Sequence, residues 1–146
     1  MFKSDVINLA CKDDEMHYLY LGDRAEGGYY LIYARKNNYS SLDDFLEKAL
    51  ALLDAEEDLT DCWDSYTNDY RDAEHIRVEN PVKSWKITGY KPKSSSTPYQ
   101  YEKHPVTVII DNIVSIVDIG HQEWNDSTAV FETETDYFFY HWYTSA

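Results

Sequence analysis

An α+β fold, with a mainly antiparallel sheet and one or two amphipathic helices packed on one face, is predicted by three features of the sequence. Runs rich in tyrosine, valine and isoleucine lie toward both ends, one stretch between them repeats its apolar residues at helical spacing, and glycine or turn-prone residues separate the runs. The 146 residues match a single globular domain over 1–146, a size that buries roughly 70% of the surface the unfolded chain exposes. Hydrophobic residues make up 43% and fourteen residues are tyrosine, enough for a core despite a formal charge of −14.

The first strands expected are Met16 to Leu21 (MHYLYL) and Tyr29 to Ala34 (YYLIYA), joined by GDRAEGG, whose glycines suit the positive φ of a hairpin turn. A helix follows in SSLDDFLEKALALLDA. Leu42, Phe45, Leu46, Ala49, Leu50 and Leu53 fall at i, i+3, i+4, i+7, i+8 and i+11, which lines one helical face. Ser41 is placed as N-cap, with Asp44 three residues on and Asp43 near the positive end of the dipole.

Further strands are expected at Trp85 to Tyr90 (WKITGY), Val106 to Ile110 (VTVII) and Ile113 to Ile119 (IVSIVDI). KPKSSSTP, from Lys91 to Pro98, reads as a loop within the domain. A closing hairpin is expected from Thr128 to Glu134 and Tyr137 to Trp142, interrupted at Thr135 and Asp136. Both faces of YFFYHW are aromatic, so one must meet the core and the other is either covered or a partner-binding patch.

Charge is concentrated in DAEEDLTDCWDSYTNDYRDAE, Asp54 to Glu74, with nine carboxylates and one cation, Arg71: a net −8 of the chain's −14. On a helix, Leu59, Trp63, Tyr66 and Tyr70 would form one stripe, while Glu57, Asp61, Asp64 and Asp72 would project away and Asp58 and Asp69 would sit at its edge. Such a helix would carry one carboxylate per ~3.4 Å, close to the charge spacing of a single DNA strand. Helix propensity is middling because Ser, Thr, Asn and Asp compete for the backbone, so a break near Ser65 to Asn68 is a comparable expectation. A plain solvated face that aids solubility is the bland alternative.

Recognised chemistries are missing. The acidic run has no glycine for a calcium loop, and His17, His75, His104, His121 and His141 form no HExxH or cysteine-paired zinc spacing. His121 and Glu123 form only an isolated HxE pair, and Glu132 and Glu134 share a strand face without further support for acid–base catalysis. Neither GxSxG nor a glycine-rich phosphate loop occurs. No catalytic, cofactor-binding or metal-binding residue is therefore assigned.

Lys83, Lys86, Lys91 and Lys93 with Tyr90, Tyr99 and Tyr101 offer a weak single-strand nucleic-acid motif, opposed by the surrounding negative field. Cys11 and Cys62 lie far apart without a disulfide framework, and the N-terminal stretch lacks the apolar segment of a signal peptide. Asp111, Asn112 and Asp118 interrupt the longest apolar region before it reaches membrane-spanning length. The expectation is a soluble cytoplasmic protein.

A basic protein partner fits the charge better than nucleic acid or membrane. The leading expectation is a non-enzymatic inhibitor, a bacterial immunity protein that neutralises a cationic, nuclease-type toxin by protein–protein binding. Glu57, Asp58, Asp61, Trp63, Asp64, Tyr66, Asp69, Tyr70 and Asp72 would form its partner-binding surface. The alternatives are a phage or plasmid anti-defence protein, anti-CRISPR or anti-restriction, acting as a DNA mimic, and a small enzyme or ligand-binding domain without a recognisable motif.

Overall fold

The structure is a computed structural model that describes residues 5–22, 27–57, 73–93, 100–120 and 126–144. Nine strands and one α-helix occur among them: β1 (Asp5–Asn8), β2 (His17–Gly22), β3 (Gly27–Arg35), α1 (Leu42–Glu57), β4 (His75–Arg77), β5 (Trp85–Gly89), β6 (Val106–Ile110), β7 (Ser115–Ile119), β8 (Asp126–Glu132) and β9 (Asp136–Thr144). The class is α+β with a mostly antiparallel sheet, as expected.

Six strands form the main sheet, in the order β2-β3-β9-β8-β7-β4, every neighbouring pair antiparallel. β1, β6 and β5 form a second sheet in which β1 runs parallel to β6 and β5 antiparallel to it. Because side chains alternate along a strand, each face of the main sheet needs its own cover. One face receives α1: Phe45, Leu46, Ala49, Leu50 and Leu53 pack in one cluster with Ile32, Val117, Val130, Tyr137 and Phe139. The opposite face receives the small sheet, whose Val106, Val108 and Ile110 cluster with Leu31, Phe131, Phe138 and Tyr140. The aromatic alternation of β9 is thereby explained, and neither side of Tyr137 to Tyr140 is left as an open patch.

Ser41 caps α1 as predicted, its Oγ accepting the Asp44 amide at 3.1 Å, while the Asp44 carboxylate accepts the Ser40 amide at 3.0 Å. The Ser40 amide, with Lys48 alongside, holds the Asp44 carboxyl below its usual range. The glycines between β2 and β3 act differently from expectation. Gly22, Gly27 and Gly28 are strand residues, and Gly120 is the positive-φ glycine among the described residues. Gly22 makes room for the ring of Tyr101 and Gly28 for that of Tyr20, positions where a Cβ would collide. Gly22 also exchanges two backbone hydrogen bonds with Tyr90, at 2.9 and 2.8 Å, which ties the end of β5 to β2 and folds the small sheet over the large one.

Candidate functional site

Of the residues predicted to bind a partner, Glu57 is the last residue of α1 and its side chain lies outside the described set. Asp58, Asp61, Trp63, Asp64, Tyr66, Asp69, Tyr70 and Asp72 also lie outside the described residues. The segment is bounded by α1 before it and the edge strand β4 after it.

A concavity among the described residues lies where the two sheets part, at the β8–β9 turn. It measures about 700 Å³ and is lined on its apolar side by Leu9, Ile109, Ile113, Val114 and Phe138. Its charged lining consists of Asp111, Glu134, Asp136 and Lys83. Asp111, Glu134 and Lys83 are exposed at its rim, whereas Asp136 is only 3% exposed.

The turn itself builds the position of Asp136. Thr133 Oγ accepts the Asp136 amide at 3.0 Å, and the Thr133 amide donates to the Asp136 carbonyl at 3.0 Å. This closes a tight connection whose side-chain hydroxyl replaces a backbone acceptor. The carboxylate is thereby directed to the small-sheet side, the side of Phe138 and Tyr140 on the same strand. Its Oδ2 accepts the backbone amide of Cys11 at 3.2 Å, from the other end of the chain, while Oδ1 is buried without a hydrogen-bond partner. Burial, reinforced by Asp136 and Asp13, pushes the Cys11 thiol up to about 12, which keeps it protonated at neutral pH.

Other sequence-level candidates resolve into structural roles. Glu132 pairs with Lys36 at 2.7 Å, and Glu134 belongs to the turn rather than to β8, so the expected carboxylate pair on one strand face is not formed. His17 bonds Asp13 at 2.7 Å and stacks on Tyr33. His141 is 3% exposed, with Nδ1 at 2.9 Å from Thr128 Oγ and its ring stacked against Tyr30 and Tyr143. Burial lowers its pKa to about 4, outweighing a hydrogen bond with the Ser127 backbone, which raises it. The neighbouring Asp126 oxygen, 3.4 Å away, therefore meets a neutral imidazole at pH 7, and the contact is not an ion pair. Of the lysine–tyrosine group, Tyr101 lies over Gly22 with its hydroxyl bonded to that of Tyr20, and Tyr99 lies outside the described residues.

Among the described residues no three His, Cys, Asp or Glu side chains converge as metal ligands do, and no helix is long and apolar enough to cross a membrane. Asp136 was missed as a site residue because the sequence shows only a turn there. The available signal was a charge placed immediately before an unbroken aromatic strand. No protein-family model, curated protein or solved structure matches the chain, so its function is inferred from its own chemistry.

Proposed function

We propose that the protein is a non-enzymatic acidic binding protein whose partner is a cationic protein, in the manner of a cytoplasmic bacterial immunity protein that neutralises a nuclease-type toxin. The observation that carries this reading is the net −8 concentrated in Asp54–Glu74. On a helix, like charges three or four residues apart cost a few tenths of a kcal/mol per pair, and a run that repeats this cost is better accounted for by something outside the chain. Carboxylates set where a nuclease binds phosphate would block it and would steer the encounter electrostatically.

Capture from the source cell, followed by association measurements at rising salt, tests the reading. One cationic effector with a salt-sensitive on-rate supports it. Changing Asp58, Asp61 and Asp64 together to Lys, which takes the net charge from −14 to −8, should slow association at least ~10-fold while leaving the fold intact. An unchanged on-rate would remove this segment from the interface. An effector that normally grips DNA, and that is also displaced by duplex DNA, would move the assignment to the DNA-mimicking anti-defence class.

A further inference from the structure

We propose that the cavity between the two sheets is a binding pocket for an organic cation, a guanidinium or alkylammonium group on an apolar stem, with the Asp136 carboxylate as its charge partner. The cavity's volume of about 700 Å³ lies inside the roughly 300–1,000 Å³ range of small-ligand sites. Its walls combine the two chemistries that such a ligand needs. Leu9, Ile109, Ile113, Val114 and Phe138 suit an alkyl stem, while the carboxylates of buried Asp136 and of exposed Glu134 and Asp111 suit its charged head.

Asp136 is the decisive group. A buried carboxylate oxygen without a donor is costly, and the fold gains nothing from leaving it so. The turn is closed by Thr133 and the backbone, and the Cys11 amide needs only one acceptor, which a neutral asparagine would supply. What a neutral side chain would not supply is a charge-assisted bond to a cation at Oδ1. A hard divalent ion fits less well, because it asks for six or more converging oxygens and one wall of the cavity is hydrocarbon. An anion is disfavoured by three carboxylates against Lys83 alone among the lining side chains. None of the lining residues belongs to the acidic run, so cation binding here and partner binding there can be lost separately.

The test is a titration of the full ¹⁵N-labelled chain, in buffered physiological salt, with n-butylguanidinium and with its neutral isostere n-butylurea. The guanidinium should bind with a Kd on the order of 1 mM, as expected of a ligand of this size. The amides of Cys11, Asn112, Thr133 and Asp136 should shift, and the urea should bind at least tenfold more weakly. Asp136→Asn should reduce the difference between the two ligands to the roughly two- to threefold that the rim carboxylates supply. Lys83→Gln, which removes a like charge from the rim, should tighten the guanidinium about two- to threefold, and Glu134→Gln should weaken it by a similar factor.

Equal binding of the two ligands, shifts confined to other regions, or an Asp136→Asn protein that binds like the wild type would each overturn the proposal. Should Asp136→Asn not fold, the wild-type comparison and the exposed Glu134→Gln variant decide alone. A second pair of probes, acetyl-Gly-Arg-Gly-amide against its citrulline counterpart, separates the sources of the cation. Preferential binding of the arginine peptide at least as tight as that of butylguanidinium assigns the pocket to a partner's side chain. Binding of the small cation alone assigns it to a free amine or guanidine.

Discussion

The two faces of the main sheet are covered by different means and are finished to different standards. Under α1 the cover is a single element whose apolar stripe matches the sheet, and Phe45 meets Tyr137 at 5.1 Å between ring centroids. Under the small sheet the packing is as aromatic near Trp85, which lies 5.0 Å from Phe131 and 4.7 Å from Tyr140, but it opens toward the β8–β9 turn into the cavity that holds Asp136. Among the described residues, the first face is filled by the apolar stripe of α1, whereas the second includes an acid-lined opening with room for a ligand.

Phe138 and Phe139 give the most direct way to break that comparison, being adjacent on β9 and nearly fully buried on opposite faces. Truncating Phe139 to Ala empties a space enclosed by α1 and should cost about 3–5 kcal/mol. Phe138 borders the existing cavity, so part of its contact is already missing, and Phe138→Ala should cost ~1 kcal/mol less. Urea unfolding of both variants checks this. Equal losses would mean that the cavity side is packed as fully as the helix side.

Much of this asymmetry was beyond the reach of the sequence, for reasons that specific residues make clear. β2, β3, α1, β8 and β9 announce themselves because each is long enough to display its period, and the Ser41 cap is a local signal. β1 and β4 have four and three residues, largely exposed, too short for alternation to register. The division into two sheets turns on the short connection from Ile110 to Ser115, where Asn112 adopts a φ of 59° and the chain leaves one sheet for the other. The candidate site is less legible still. Asp136 matters because of Cys11, which is 125 residues away in sequence and joined to it only through the fold.

The helix-side face has a polar end of its own at His141, and pH sharpens the contrast there. Its pKa is depressed to about 4 in the folded state, against 6.5 for the free side chain, so between these values the unfolded chain takes up a proton that the folded chain refuses. Stability from this group is therefore intact above about pH 6.5, falls as the pH drops toward 4 and levels off below, a loss of up to about 3 kcal/mol. The groups around the ring include the Ser127 backbone, the Thr128 hydroxyl, the Asp126 carboxylate and the phenols of Tyr30 and Tyr143. His141→Gln should flatten this part of the profile, read as the wild-type minus variant difference in urea midpoint between pH 7 and 4. A difference that stays constant over that range would show that burial does not hold the imidazole neutral.

The smallest expected effect bears most directly on the cavity side. If Asp136 serves a ligand and not the fold, removing its charge should stabilise the empty protein. Asp136→Asn keeps an oxygen for the Cys11 amide and exchanges a buried carboxylate for a less costly neutral amide, a gain of about 1 kcal/mol. Thr133→Ala is the control for position, since it removes the hydroxyl that accepts the Asp136 amide and should lose about 1 kcal/mol. Opposite signs at two contacting residues of one turn would separate a ligand-directed group from a structural one. A loss at Asp136 equal to that at Thr133 would instead make the carboxylate part of the scaffold, and the two faces of the sheet would then differ only in how tightly they are filled.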